Sequence, residues 1–405
     1  MRLNHSIGKK ELFILLWIGS AAIFSQAFDI FWIDALFSLV IFAGVVWFVN
    51  TKSSVHMMCL VGYSTFIFIP AILNGYYFKT GFDLFYATSM VTVYFLSKTK
   101  GTIYISSPQD KSPYLVLFTL FSLMLIVFSF VFKGGLAIYF LSPCVMFYAL
   151  CLRERKFYYN ARIFAAFVAV FAMYFSFGWS GFGRTVVFGN LIVAVLYFLY
   201  SNNLPNSKLL FALVPSLLSL LLAGRKSLSL DNFSIYEALN DSAVGPYRLA
   251  NTFIENYNSK GIDLTGFVEQ VIFSLTSFVP RELWPSKPYG FGFEYVVQNM
   301  DQYFIDAGHS IASTLIGDHI YYLGWWGVGT GLLMASFVAR VANIFYDFKK
   351  LNSYAVIIIS CNMMVLVWGG MTSFSARIIF PLIGLFPLWI VYIISKKLLK
   401  PALRG

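Results

Sequence analysis

The chain has 405 residues, of which 59% are hydrophobic and only 12% charged, and its formal net charge is +11. A soluble domain is about one-quarter charged, so these proportions exclude a soluble globule. The four cysteines, Cys59, Cys144, Cys151 and Cys361, fall in or at the ends of apolar runs without paired spacing, which excludes a disulfide framework or a cysteine metal site.

Apolar runs near the ~20 residues needed to cross a bilayer recur along the chain. In order they cover 11–30, 32–49, 56–73, 82–97, 114–132, 135–152, 163–180, 186–200, 209–223, 314–345, 353–370 and 376–395, twelve predicted spans in one membrane domain over residues 1–405. The first has a basic start and an apolar core but no small-residue cleavage site, so it is expected to stay as the first helix. With Met1 inside, the cytoplasmic segments hold 19 of the 29 Lys and Arg and only four acids, against ten basic and fourteen acidic residues outside. That asymmetry is the positive-inside pattern and places both termini in the cytoplasm. The basic balance then reports topology and anionic lipid, with no nucleic-acid partner implied.

One segment interrupts the spans: residues 224–312, all on the outer side, between predicted spans nine and ten. A connection this long is functional or disordered, and its aromatic patterning favours the former. "DSAVGPYRLANTFIENYN" reads as a helix starting near Asp241 or Ser242, with Leu249, Phe253 and Tyr257 on one face. "LTGFVEQVIFSLTSFVP" is apolar but short for a span, which suits a helix lying in the interface or dipping into the bilayer. Pro280 ends it and hands the chain to "RELWPSKPYGFG", residues 281–292. "FEYVVQNMDQYFIDAG" is expected to form a third helix closed by Gly308, with His309 next.

No phosphate loop, Rossmann glycine pattern, HExxH or metal-holding Asp-x-Asp occurs in the chain. The outer side instead offers cations on an acidic background, chiefly Arg184, Arg248, Arg281, Lys287 and Arg377. Arginines converging at membrane level suit a pyrophosphate, whose oxygens accept bidentate guanidinium bonds; the competing role is snorkelling toward headgroups. His309 is a candidate proton acceptor, with helix capping as its alternative; His319 has a structural role as its own. Asp318, Glu294, Asp306 and Glu255 are further candidate bases. Trp284, Tyr289, Phe291 and Phe293 can stack on sugar faces or form an interfacial belt.

"PRELWPSKPYGFG" in a long outer loop, followed by "HSIASTLIGDHIYYLGWWGVG" entering a late span, resembles the O-antigen polymerases (Wzy family) and related oligosaccharide repeat-unit polymerases. Arg281 and Gly292 have the arginine-ten residues-glycine spacing of that family's periplasmic loops; no other outer arginine does, a departure where a second copy is expected. The resemblance implies an all-α polytopic membrane protein of about twelve helices, a GT-C-like glycosyltransferase architecture and a bacterial inner-membrane location with the site facing the periplasm. It further implies a metal-independent glycosyltransferase without a cofactor, whose donor and acceptor are both oligosaccharides on undecaprenyl pyrophosphate. A membrane chain-length regulator is an implied partner. Carried onto this sequence, Arg281, Arg248, Arg377, Arg184 and Lys287 would hold pyrophosphate and His309 would take the acceptor proton. An O-antigen ligase shares this logic and differs in acceptor. A flippase would need ionisable residues deep in the spans and shorter loops.

Overall fold

The structure, a computed structural model, describes residues 8–48, 53–79, 81–99, 185, 189, 192–193, 243–256, 261–347 and 352–402. The predicted spans at 114–132, 135–152, 163–180 and 209–223, most of 186–200, and Arg184, lie outside the described residues. Every described element is helical: α1 (Lys9–Phe28), α2 (Phe31–Phe48), α3 (Ser54–Tyr63), α4 (Ile69–Phe78), α5 (Phe82–Lys98), α6 (Gly245–Glu255), α7 (Leu264–Thr276), α8 (Phe291–Asn299), α9 (Gln302–Asp306), α10 (Thr314–Leu323), α11 (Trp326–Asp347) and α12 (Asn352–Ala402). Among the described residues four helices are long and apolar enough to cross a membrane: Lys9–Phe28, Ser54–Phe78, Trp326–Ile344 and Ala355–Ile383. The protein is a helical membrane protein.

Two compact units share the chain. The first comprises residues 1–102, 208–343 and 363–376, the second 103–207, 344–362 and 377–405. In the first unit α1 packs on α2 and α5, and α6 packs most extensively on α10 and also touches α4 and α5. The Tyr247 hydroxyl donates to the Gly81 carbonyl, fastening α6 to the α4–α5 turn. A π-helical turn, Ser64–Phe68, joins α3 to α4 inside one long apolar helix, as expected for a single third span. In the second unit Gly189 lies against Cys361, where a Cβ would fall 2.1 Å from the carbonyl oxygen.

The structure revises several expected elements. The buried face of α6 runs through Tyr247, Ala250, Asn251 and Phe253, so Leu249 is only half-buried. The third loop helix divides into α8 and α9 around Met300, whose backbone is extended. The expected span 314–345 divides at Gly324, φ 56°, into the short α10 and the long α11. The runs 353–370 and 376–395 form two helical stretches separated at Gly370, φ 69° and ψ −168°, where the first of the expected spans ends. Apolar periodicity alone does not reveal the break at Gly324, because both sides of it are equally greasy.

Gly370 is the position where such a break is stereochemically cheapest, since a side chain resists positive φ. A Cβ there would also lie 2.5 Å from the Asp318 carboxylate. Gly370→Ala is therefore expected to destabilise the protein by about 1–3 kcal/mol. Thermal unfolding of the purified variant in detergent checks this, and an unchanged midpoint would contradict the strain argument.

Candidate functional site

The described part of the long connection folds around α7. Asp263 caps it by accepting the Gly266 N–H at 2.9 Å, and its own N–H donates to the Tyr322 carbonyl at the end of α10, 2.8 Å away. Gly266, Gln270 and Ser274, spaced by four, face inward, while Leu264, Thr265, Val268, Glu269 and Leu275 are exposed. The exposed face thus mixes apolar side chains with a carboxylate, and at 13 residues α7 is too short to span, which suits a helix lying at an interface.

The cationic turn after α7 is held by its own cations. The Arg281 guanidinium donates to the carbonyls of Lys287 (2.7 Å) and Pro288 (3.0 Å) and stacks 3.8 Å over the Tyr289 ring. The Lys287 ammonium donates to the carbonyls of Ser277 and Val279 at the end of α7 and is only 6% exposed. Burial, with the Arg281 charge beside it, pushes its pKa below the ordinary lysine value. Gly292, eleven residues after Arg281, lets the backbone at Ile311 approach: the Ile311 N–H donates to its carbonyl at 3.1 Å, and a Cβ there would fall 2.2 Å from the Ile311 oxygen. The Arg281–Gly292 spacing thus joins a stapled turn to a close backbone crossing.

The remaining predicted residues take distinct places. Tyr289 is exposed and lies 4.8 Å from Phe293, while the Trp284 indole donates to Ser286. Phe291 is 1% exposed, packed edge-on against Phe253 and Tyr321, which makes it a core residue. The Arg248 guanidinium sits 4.6 Å over the Phe78 ring at the end of α4. His309 closes α9 in a Schellman arrangement: Gly308, φ 62°, donates to Ile305, the His309 N–H donates to Phe304, and the two rings lie 5.6 Å apart. Arg377 is half-buried on α12, in the second unit. The structure brings Arg281, Lys287, Trp284, Tyr289 and Phe293 into one turn and its following helix.

Beside that turn is a narrow cleft, with room for about one water, between α7, α10, α11 and α12, lined in part by Gln270, Ser274, Asp318, His319, Tyr322 and Thr372. The Asp318 carboxylate is 3% exposed and accepts the backbone N–H groups of His319, Met371 and Thr372. It fills the N-terminal end of the helix that restarts after Gly370. His319 meets the Thr330 hydroxyl at 3.1 Å. At the start of α10, Thr314 has φ 71°, a strained value for a β-branched residue.

A second polar group ties cleft to turn. Gln270 donates through Nε2 to the Tyr289 carbonyl at 3.1 Å and to Glu294, which also accepts from Tyr322 at 2.7 Å and Gln298 at 3.0 Å. Gln270, Tyr322 and the role of Glu294 in joining them escaped sequence reading, because none belongs to a motif; the one visible signal was a glutamine inside an otherwise apolar run. Among the described residues no group of three or more His, Cys, Asp or Glu side chains is placed to hold a metal.

Burial pushes the Glu294 carboxyl above its ordinary range, opposed by the Tyr322 hydrogen bond and reinforced by the Glu269 charge. A raised folded pKa stabilises the protein below the ordinary carboxylate value, and that contribution disappears as pH rises through the raised value. Glu294→Gln removes this titration. Its unfolding midpoint is expected to gain on the wild type's between about pH 4 and pH 8; a constant or shrinking difference would contradict the assignment.

No family model, curated protein or solved structure matches the chain.

Proposed function

We propose that the protein is a metal-independent, GT-C-like glycosyltransferase that polymerises lipid-linked oligosaccharide repeat units at the periplasmic face of the bacterial inner membrane. The growing glycan on undecaprenyl pyrophosphate passes to the non-reducing-end sugar of a second undecaprenyl-pyrophosphate-linked repeat unit. The acceptor oxygen bonds to the donor's anomeric carbon, the bond from that carbon to pyrophosphate oxygen breaks, and undecaprenyl pyrophosphate leaves.

The observation that carries this reading is the chain of contacts Arg281–Tyr289–Gln270. It puts a guanidinium, an exposed aromatic ring and a narrow polar cleft side by side against a helix whose exposed face carries Leu264, Val268 and Leu275 with Glu269. A lipid-linked sugar pyrophosphate has the matching parts: acyl chain, anion and hydroxyl-bearing ring. Arg281, with Arg248, stabilises charge growing on the leaving pyrophosphate. Lys287 acts through the turn it pins. Tyr289, Phe293 and Trp284 offer ring faces to sugars. His309 accepts the acceptor proton as the hydroxyl attacks. Anchoring both substrates in one leaflet lowers the entropic cost of bringing them together.

Deletion of the gene is expected to leave lipopolysaccharide carrying core plus a single repeat unit. Loss of even that unit would favour a ligase or flippase, and an intact long ladder would refute the polymerase reading. In complemented cells Arg281→Ala and His309→Ala should each cut ladder formation by roughly 100-fold or more at normal protein levels. A full ladder from either variant removes that residue from the mechanism.

A further inference from the structure

The exposed side of α7 is divided into two rows. Leu264, Val268, Val271, Ile272 and Leu275 follow the three-and-four spacing of one helix face; Leu264, Val268 and Leu275 are exposed and the other two half-buried. Thr265, Glu269 and Thr276 repeat that spacing one step round the helix, so the exposed polar side chains lie to one side of the apolar row. Gly266, Gln270 and Ser274 form a third row, turned to the protein. A helix in water gains nothing from an apolar row on its wet side, and one immersed in hydrocarbon gains nothing from an exposed carboxylate. A helix lying along a bilayer surface uses both.

The neighbouring span sets the level at which α7 sits. α11 is long and apolar enough to cross a membrane, and its first residue, Trp326, is 72% exposed, next to the exposed Trp325. Tryptophans at the end of a span mark the boundary between headgroups and acyl chains. Just before them, the Tyr322 carbonyl accepts the Asp263 N–H at 2.8 Å, and a Cβ on Gly266, in the first turn of α7, would fall 2.7 Å from the Tyr322 ring. α7 therefore starts at the level of the tryptophan pair. It also stays beside the span, because Phe267 and Ser274 share the narrow cleft with Met334, about 12 Å along α11 from Trp326. Whatever covers the apolar row is found where headgroups give way to acyl chains.

We infer that this row is a lipid-docking surface: α7 lies in the bilayer interface with Leu264, Val268 and Leu275 against the acyl chains of one leaflet and Thr265 and Glu269 among its headgroups. The inference is independent of the reaction proposed above. Its consequence for the Arg281 turn is one of level. Lys287 donates to the Ser277 and Val279 carbonyls at the end of α7, and Arg281 donates to the carbonyls of Lys287 and Pro288. A seated α7 therefore carries the guanidinium at the headgroup layer, where lipid phosphates are.

The test uses the full-length protein in nanodiscs, with its four native cysteines replaced by serine. Leu264→Cys, Thr265→Cys, Val268→Cys, Glu269→Cys and Leu275→Cys are introduced singly, and each is labelled with a bimane fluorophore. Leu333→Cys, at an exposed position on α11, gives the acyl-chain reference. Phospholipids brominated in the acyl chains are expected to quench the Leu264→Cys, Val268→Cys and Leu275→Cys labels to within about twofold of the reference. Aqueous iodide should quench the Thr265→Cys and Glu269→Cys labels about threefold more than those three. The wild type supplies a second measurement without substitutions: a phospholipid bearing a diazirine on its acyl chain should photolabel Leu264, Val268 and Leu275 and spare Glu269. Equal iodide quenching of all five labels, with none from the brominated lipid, would put the row in water and overturn the inference. Shielding of the row from both quenchers, with no lipid adduct on the wild type, would also overturn it, since protein, either another part of this chain or a second copy, would then cover the row.

Discussion

A buried carboxyl group at a broken helix organises the part of the first unit built from α6, α7, α10 and α12. Asp318 cannot reach water, so its carboxyl group depends on the N–H groups that α12 frees where it breaks at Gly370, and those N–H groups in turn depend on Asp318. In a membrane protein neither partner has a cheap substitute, because hydrocarbon supplies no hydrogen bonds. The pairing fixes α10 against α12, and α10 in turn positions α6, which packs along it, and α7, which is tied to Tyr322 at both backbone and packing level. The cleft is the space these constraints leave.

Around that frame the loop uses its charges mainly on itself. Lys287 closes the carbonyl end of α7, and Arg281 closes the turn that follows, with Pro285 and Pro288 further limiting the backbone between them. A cation engaged with carbonyls is also one held in place, and a fixed guanidinium loses less entropy on meeting an anion. Structural and chemical roles for Arg281 are therefore compatible: two of its five N–H donors hold the turn. Lys287, buried and donating to two carbonyls, is the structural member of the pair.

Sequence made the membrane class legible through composition, and it marked the outer segment through the length and aromaticity of residues 224–312. It also located α7 and the Gly308 closure before His309, since caps and short apolar runs are local signals. The helix break at Gly324 was hidden, because a glycine in an apolar run can equally serve close packing, whereas the apolar runs did end a span at Gly370. The cleft was hidden for a different reason. Gln270 and Ser274 on α7, Asp318 on α10 and Thr372 on α12 meet only when those three helices are assembled. Phe291 looked like its neighbours Tyr289 and Phe293, but the turn into α8 points it at the Phe253 core.

The central claim is that this outer segment joins lipid-linked sugars without a metal or cofactor. Its most direct measurement is elongation by the purified full-length protein in proteoliposomes supplied only with undecaprenyl-pyrophosphate-linked repeat units and a strong chelator of divalent cations. The account requires a ladder of lengthening glycans together with released undecaprenyl pyrophosphate, one for each linkage formed. Folded protein that leaves the repeat units unextended, or that extends them only when a divalent metal is restored, would contradict it.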